Sequence, residues 1–344
     1  VRIAIVTDAW QPQVNGVVTT LCKTGETLRA WGKEVCFVTS QGLTTIPLPS
    51  YPDIRVALLA GKRIRALLNE FIPHAIHIAT EGPLGWAARA YCRDRGLEFT
   101  TSYHTRFPEL LRMRAPIPLK ISYSVLRRFH GKAARTMVAT ESQRQALIAR
   151  GFRNLVLWSR GVDTNLFRPR ERGFLSDPRP ILMYVGRVAV EKNLEAFLSL
   201  DLPGSKYVIG DGPDLEALSQ KYRAARFPGY KFGEELAAYV ADADVFVFPS
   251  RTETFGLVML EAMACGVPIA AFPVTGPRDI VIEGVTGALD EDLDKAISRA
   301  LELNREAARQ HALIRSWPAA TERFLANLAI NNMPASPTRF PLAE

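Results

Sequence analysis

Two glutamates, eight residues apart, bracket the run Glu253-Thr-Phe-Gly-Leu-Val-Met-Leu-Glu261, which follows the apolar stretch Val245 to Pro249. An apolar run that breaks at a glycine predicts a strand, a turn and then a helix whose N-terminal N–H groups face an anion, usually phosphate. Glu253 then stands beside the anion, with Glu261 about two turns along the same helix face. Phosphate repels carboxylates, whereas hydroxyl groups donate to them. A ligand with both a diphosphate and many hydroxyls, a nucleotide sugar, suits the pair. A second apolar run, Ile181 to Val185, ends at Gly186 and Arg187, with Lys192 five residues further on. The planar guanidinium of Arg187 and the point charge of Lys192 are the donors that a departing diphosphate requires as charge builds on it. They supply positive charge without a metal, so neither a metal site nor a cofactor is expected.

Further motifs accompany these residues. They are Gly210-Asp-Gly-Pro213, Phe248-Pro-Ser250 and Ala262-Met-Ala-Cys-Gly-Val-Pro268 towards the carboxyl end. Towards the amino end stand Asp8-Ala-Trp-Gln-Pro-Gln-Val-Asn15-Gly16-Val, Tyr103-His104-Thr-Arg-Phe-Pro108 and Ser159-Arg-Gly-Val-Asp163. Together they resemble the retaining glycosyltransferases of family 4, which have the GT-B fold, and the resemblance covers nearly the whole chain. It implies that the second domain binds the nucleotide sugar and the first the acceptor. Position by position it gives sugar hydroxyls to Glu253, ribose to Glu261, and the diphosphate to Arg187, Lys192 and the N–H groups near Phe255, Gly256 and Leu257. Asn15 and Gly16 would close over the diphosphate from the first domain, and His104 would contact the transferred sugar near its anomeric carbon, by positioning and electrostatics. Retention then means attack from the face on which the diphosphate leaves, the leaving phosphate taking the acceptor's proton.

The elements that must position these residues are legible as a pattern. Short apolar runs at Ile3 to Val6, Val35 to Thr39, Ile54 to Leu58, Ala75 to Ile78, Phe99 to Ser102 and Thr136 to Ala139 alternate with helical stretches such as Val18 to Ala30 and Gly85 to Arg95. Such alternation predicts βαβ units and a parallel sheet covered on both faces, an α/β fold. The pattern restarts at Ile181 to Val185, Tyr207 to Ile209, Val245 to Phe248 and Ile269 to Phe272, after a polar stretch with prolines. We therefore read an acceptor-binding domain over 1–168, a linker over 169–180, a nucleotide-sugar domain over 181–310, and a C-terminal helix and tail over 311–344. Two doubly wound domains facing across a cleft point their strand C-termini, where ligands bind, into it. The last helix, Trp317 to Leu328, commonly crosses back to the first domain in this fold.

At 344 residues, 47% hydrophobic and 23% charged, the chain is long enough for two cores. No apolar run approaches a membrane span and none resembling a signal peptide precedes Ile3, so a cytoplasmic protein is expected. The four cysteines are scattered and read as reduced, buried thiols.

Charge divides sharply. Residues 1–168 hold 24 Lys and Arg against 11 Asp and Glu, and the rest 19 against 24. Between Arg106 and Arg153 eleven cations face only Glu109 and Glu141. Within that region Leu119 to His130 forms a helix with Ile121, Val125, Leu126 and Phe129 on one side, and Lys120, Arg127, Arg128 and Lys132 nearby. Such a segment can lie on anionic lipid, or it can be a core helix with a solvated face. Its place in the acceptor domain favours the membrane, at whose inner face the protein would sit peripherally. No nucleic-acid motif accompanies the charge. Arg106 stands where relatives often carry a neutral or acidic residue, a change suited to an acidic sugar or a lipid phosphate. The 230–237 segment is shorter than usual in a region that often contacts the nucleobase. Glu81 either meets the acceptor or caps the helix after it, with the cap favoured. The reading is transfer of a hexose from a UDP- or GDP-sugar to a lipid such as diacylglycerol. The alternatives are a soluble or polysaccharide acceptor and, in another class, a non-catalytic sugar-nucleotide binder.

Overall fold

The computed structural model describes residues 1–332, apart from 14, 49–50, 58–59, 115–116, 252 and 254. Residues 333–344 of the expected C-terminal helix and tail, and the strand end at Leu58, lie outside the described residues. In the first half the order is β1 (Arg2–Val6), α1 (Gly16–Ala30), β2 (Glu34–Val38), β3 (Thr45–Leu48), β4 (Tyr51–Ala57), α2 (Ala60–Phe71), β5 (Ala75–Ile78), α3 (Pro83–Arg95), β6 (Thr100–Tyr103), α4 (Phe107–Arg114), α5 (Leu119–His130), β7 (Arg135–Val138), α6 (Glu141–Ile148) and β8 (Leu155–Leu157). The second half holds β9 (Ile181–Val185), α7 (Glu195–Leu198), β10 (Ser205–Ile209), α8 (Leu215–Lys221), β11 (Arg226–Gly229), α9 (Gly233–Asp242), β12 (Val245–Phe248), α10 (Leu257–Ala264), β13 (Ile269–Ala271), α11 (Pro277–Ile280), β14 (Gly287–Leu289), α12 (Leu293–Leu301) and α13 (Arg305–Leu313). Last comes α14 (Trp317–Asn327).

Two six-stranded parallel sheets result, ordered β2-β1-β5-β6-β7-β8 and β11-β10-β9-β12-β13-β14. This is the GT-B fold. The runs that predicted β1, β9 and β12 are buried at every position, as strands covered on both faces must be. Each sheet reverses its strand order beside its first strand, so one crevice opens between the C-terminal ends of β1 and β5 and another between those of β9 and β12. The run at Ile54 does not join the parallel sheet. It belongs to β4, which pairs antiparallel with β3 in a separate hairpin with Thr45 opposite Ala57. A hairpin strand and a sheet strand share the same short apolar signature.

The final helix does return to the first half. Ser316 caps α14 by accepting from the N–H of Ala319, and Phe324 and Leu328 pack with Ile3, Ile5, Leu21, Leu28 and Trp158. Burial of those two side chains contributes about 3 to 6 kcal/mol in hydrophobic transfer. Where the chain crosses between halves, Val162 donates its N–H to the Arg315 carbonyl at 2.9 Å. No helix among the described residues is long and apolar enough to cross a membrane.

Candidate active site

Adjacent strands β9 and β12 deliver the two charged loops of the second half side by side. The loop after β9 carries Gly186 and Arg187, whose carbonyl accepts from the Tyr184 hydroxyl at 2.9 Å, and it ends in a single 3-10 turn over Val190–Lys192. A Cβ on Gly210, at φ +137°, would collide with the Gly186 carbonyl oxygen, so only glycine lets the next strand's turn nest against this loop. The loop after β12 is laced to it, since Asn193 Nδ2 donates to the Pro249 carbonyl at 3.1 Å and Ser250 Oγ to that of Glu191 at 3.2 Å. Across the seam Lys192 Nζ lies 2.7 Å from Glu253 Oε2, both side chains about one-fifth exposed.

Glu253 is not on the helix. Gly256 takes φ +86° at the N-cap, and α10 begins only at Leu257, so the two glutamates do not share a helix face as the spacing predicted. Glu253 belongs to the loop, and Glu261 to the second turn of α10. Gly256 brings no side chain to cap that helix N-terminus, which leaves its dipole directed at whatever enters the crevice. Phe255 is 7% exposed and anchors the loop in the core with Phe248 and Met259. Its side chain is part of the core. Glu261 accepts no hydrogen bond among the described residues, and although its surface is partly open, burial pushes its pKa up to about 7.

From the first half, Asn15 caps α1, its Oδ1 accepting from the N–H groups of Val17 and Val18, each at 3.0 Å. Gly16 is exposed, and a Cβ placed on it would stand 3.5 Å from Leu257 Cδ1. The start of α1 therefore meets the start of α10 across the cleft, Gly16 against Leu257. His104 follows β6 and is 8% exposed. Its Nε2 lies 2.8 Å from Ser102 Oγ and its Nδ1 2.9 Å from Arg160 Nη2. Burial and the Arg160 charge hold its pKa well below the usual imidazole range.

Residues 14–166 match the model for Glycosyltransferase Family 4 and residues 179–304 that for glycosyl transferases group 1. Over 94% of its length the chain is 31% identical to a GDP-mannose-dependent alpha-mannosyltransferase of Mycobacterium tuberculosis, spanning 95% of that protein. The chain belongs to glycosyltransferase family 4. It is also 34% identical, over 86% of its length and 67% of the relative's, to a sulfoquinovosyl transferase of Arabidopsis thaliana. Among solved structures, sucrose-phosphate synthase from Thermosynechococcus elongatus superposes with a TM-score of 0.77 at 23% identity, covering 94% of this chain and 97% of that one. Anabaena HepE in complex with UDP and glucose does so at 0.67 and 16%, over 94% and 98%. Both likenesses concern the fold.

In this glycosyltransferase several residues do work that sequence reasoning did not assign. Asp8, not Glu81, caps α3, its carboxylate accepting from the N–H groups of Leu84 at 2.9 Å and Gly85 at 3.4 Å and from the Thr80 hydroxyl at 2.8 Å. Pro83 at the first helical position starts the helix ahead of the expected Gly85. Glu81 turns instead to the fully buried His130, 3.1 Å from its Nε2. Arg106, just ahead of α4, is paired with Glu109 on that helix, 3.0 Å away, so part of its charge is already met. Ser142 of α6 donates to Asp279 of α11 from both its N–H and its hydroxyl, at 3.0 and 2.5 Å, a tie between the halves.

The basic helix α5 is split differently from its predicted pattern. Leu126 and Phe129 are core, packed in the first half together with Tyr123, whereas Ile121 and Val125 are 57% and 48% exposed. Lys120, Arg128 and Lys132 are exposed with them, and Arg127 is half-buried, donating to the Arg150 carbonyl at 2.9 Å. The outward face thus joins two apolar side chains to three cations.

Proposed function

We propose that this glycosyltransferase moves a hexose from a UDP- or GDP-sugar, with retention and without a metal, to a lipid acceptor at a membrane surface. The observation that carries the donor side is the Lys192–Glu253 pair, held at 2.7 Å at the β9/β12 crevice beside the start of α10, whose N-cap is Gly256. A diphosphate placed there meets Lys192, Arg187 and the helix dipole, whose worth grows as charge builds on the leaving group. Lys192 then transfers its attention from Glu253 to phosphate, and the released carboxylate takes sugar hydroxyls. Glu261, which accepts no hydrogen bond among the described residues and sits above the ordinary carboxylate range, receives the ribose hydroxyls. Gly16 admits the backbone of the first half close over the diphosphate.

The acceptor side rests on the outward face of α5. Cations at the flanks attract anionic lipid, and Ile121 and Val125 between them can enter the headgroup layer. The names of the two relatives put GDP-mannose and a sulfoquinovosyl donor into the first assay beside UDP-glucose. Purified enzyme is incubated with each donor and membrane lipid, with and without a chelator, and products are read by mass spectrometry. A glycolipid formed equally with chelator, and lost by about 100-fold or more in Glu253→Ala and Lys192→Met, is expected. Full turnover in Glu253→Ala would refute the assigned site, and a product only on soluble glycans would refute the lipid acceptor.

A further inference from the structure

Arg160, in the segment leaving β8, is a buried cation without a carboxylate. It is 5% exposed, and among the described residues no acid pairs with it. Its Nη1 donates to the Trp158 carbonyl at 2.7 Å, its guanidinium carbon lies 4.5 Å from the centre of a Trp158 ring, and its Nη2 is 2.9 Å from His104 Nδ1. Burying an unmatched charge is costly, so this placement requires a reason.

A guanidinium has donors only. His104 Nδ1 must therefore accept, which leaves the single proton of the neutral ring on Nε2, directed at Ser102 Oγ 2.8 Å away. Having accepted that bond, Ser102 Oγ donates onward to His77 Nε2 at 2.9 Å, and His77 donates from Nδ1 to Thr100 Oγ1 at 3.0 Å. One direction of donation satisfies every member, from Arg160 through His104, Ser102 and His77 to Thr100. Among the described residues, Arg160 and Ser102 bond the His104 ring and the Trp158 ring lies beside it, while His77 and His130 act on it through charge. Burial and the Arg160 charge oppose an imidazolium.

We propose that Arg160 is a positioning residue, fixing His104 as the neutral Nε2–H tautomer with both ring nitrogens engaged inside the protein. His104 then presents a rigid, uncharged ring and its backbone to the transferred sugar and does not take the acceptor's proton, which leaves that proton to the departing phosphate. This deepens the proposed transfer reaction and rests on it only for its consequence. The tautomer is a property of the protein by itself.

The test is a nitrogen NMR spectrum of the whole protein labelled at histidine, with the His104 signals assigned by their loss in His104→Asn. Wild type should show Nδ1 unprotonated and Nε2 protonated from about pH 8 down to about pH 5. Arg160→Met should release the ring, visible as a second tautomer or a new titration, and lower kcat about 10- to 100-fold, the worth of one charge-assisted hydrogen bond, with donor KM little changed. Arg160→Lys should restore part of both. A protonated Nδ1 in the wild type, or an unchanged spectrum in Arg160→Met, would overturn the proposal. If Arg160→Met does not fold, the wild-type spectrum decides alone. Failure of the site itself shows separately, as Glu253→Ala keeping its turnover while the His104 signals are as expected.

Discussion

Replacing Glu261 by glutamine should make the protein more stable and worse at binding its donor. Burial raises the Glu261 pKa from an ordinary 4.5 to about 7. At about 1.4 kcal/mol per pH unit the charged carboxylate costs the folded state up to about 3.5 kcal/mol. Glu261 keeps part of its surface in water, so the expected figure is about 1 to 3 kcal/mol. The sign follows from which state holds the proton. Below about pH 4.5 the acid is neutral in both folded and unfolded chains and Glu261→Gln gains nothing. Between about pH 4.5 and 7 the unfolded chain ionises first, wild-type stability falls, and the advantage of glutamine grows. Above about pH 7 the advantage is constant. Urea unfolding of both proteins at several pH values from about 5 to 8 measures the difference directly. Titration calorimetry should show donor binding weakened about 10- to 100-fold in the variant, as expected for hydrogen bonds to a charged acceptor. Wild-type donor affinity should itself rise with pH through about 7. A stability difference that is flat with pH, or a variant less stable than wild type in alkali, would refute the desolvated-carboxylate argument.

At Gly16 an alanine Cβ makes an ordinary contact with Leu257 Cδ1 at 3.5 Å, so Gly16→Ala should keep its turnover. Gly16→Leu should lose about tenfold or more with an unfolding free energy changed by less than about 0.5 kcal/mol. Asp8→Ala uncaps α3 and leaves the Leu84 N–H without its acceptor, and should cost about 1 to 2 kcal/mol in urea unfolding. Changing Lys120, Arg128 and Lys132 together to glutamine should weaken binding to phosphatidylserine vesicles by about 3 kcal/mol at low salt, at about 1 kcal/mol each. Co-sedimentation that is unaffected by the triple change, or by added salt, would remove α5 from the membrane.

What the sequence disclosed was chemistry and continuous apolar runs. The strands of the two sheet centres were legible because Ile3 to Val6, Ile181 to Val185 and Val245 to Phe248 are apolar without interruption, as doubly covered strands require. β8 and β14 are three residues long and β11 is the four-residue Arg-Phe-Pro-Gly, too short or too polar to stand out. The run at Ile54 was misplaced because an apolar pattern does not disclose which strand lies beside it. Side-chain pairs were hidden for a related reason. Lys192 and Glu253 stand 61 residues apart, His104 and Arg160 56, and Asp8 and the Leu84 N–H 76. Each pair depends on strand order, which decides the neighbours of a residue but leaves little trace in local spacing. Glu81 illustrates the hazard: a carboxylate just before a helix suggests a cap, yet the loop after β1 brings Asp8 to the same N–H groups.

The return of α14 to the first sheet also sets the order in which the molecule can be finished on the ribosome. Ile3, Leu21 and Trp158 emerge early, but Phe324 and Leu328, which cover them, emerge after the whole second half has been made. Domains generally fold as units during synthesis, amino-terminal first, and here that rule is interrupted. The second half can close around β9 and β12 as soon as its own strands appear, whereas the first must wait with an apolar face bare. The half that is made first is completed last.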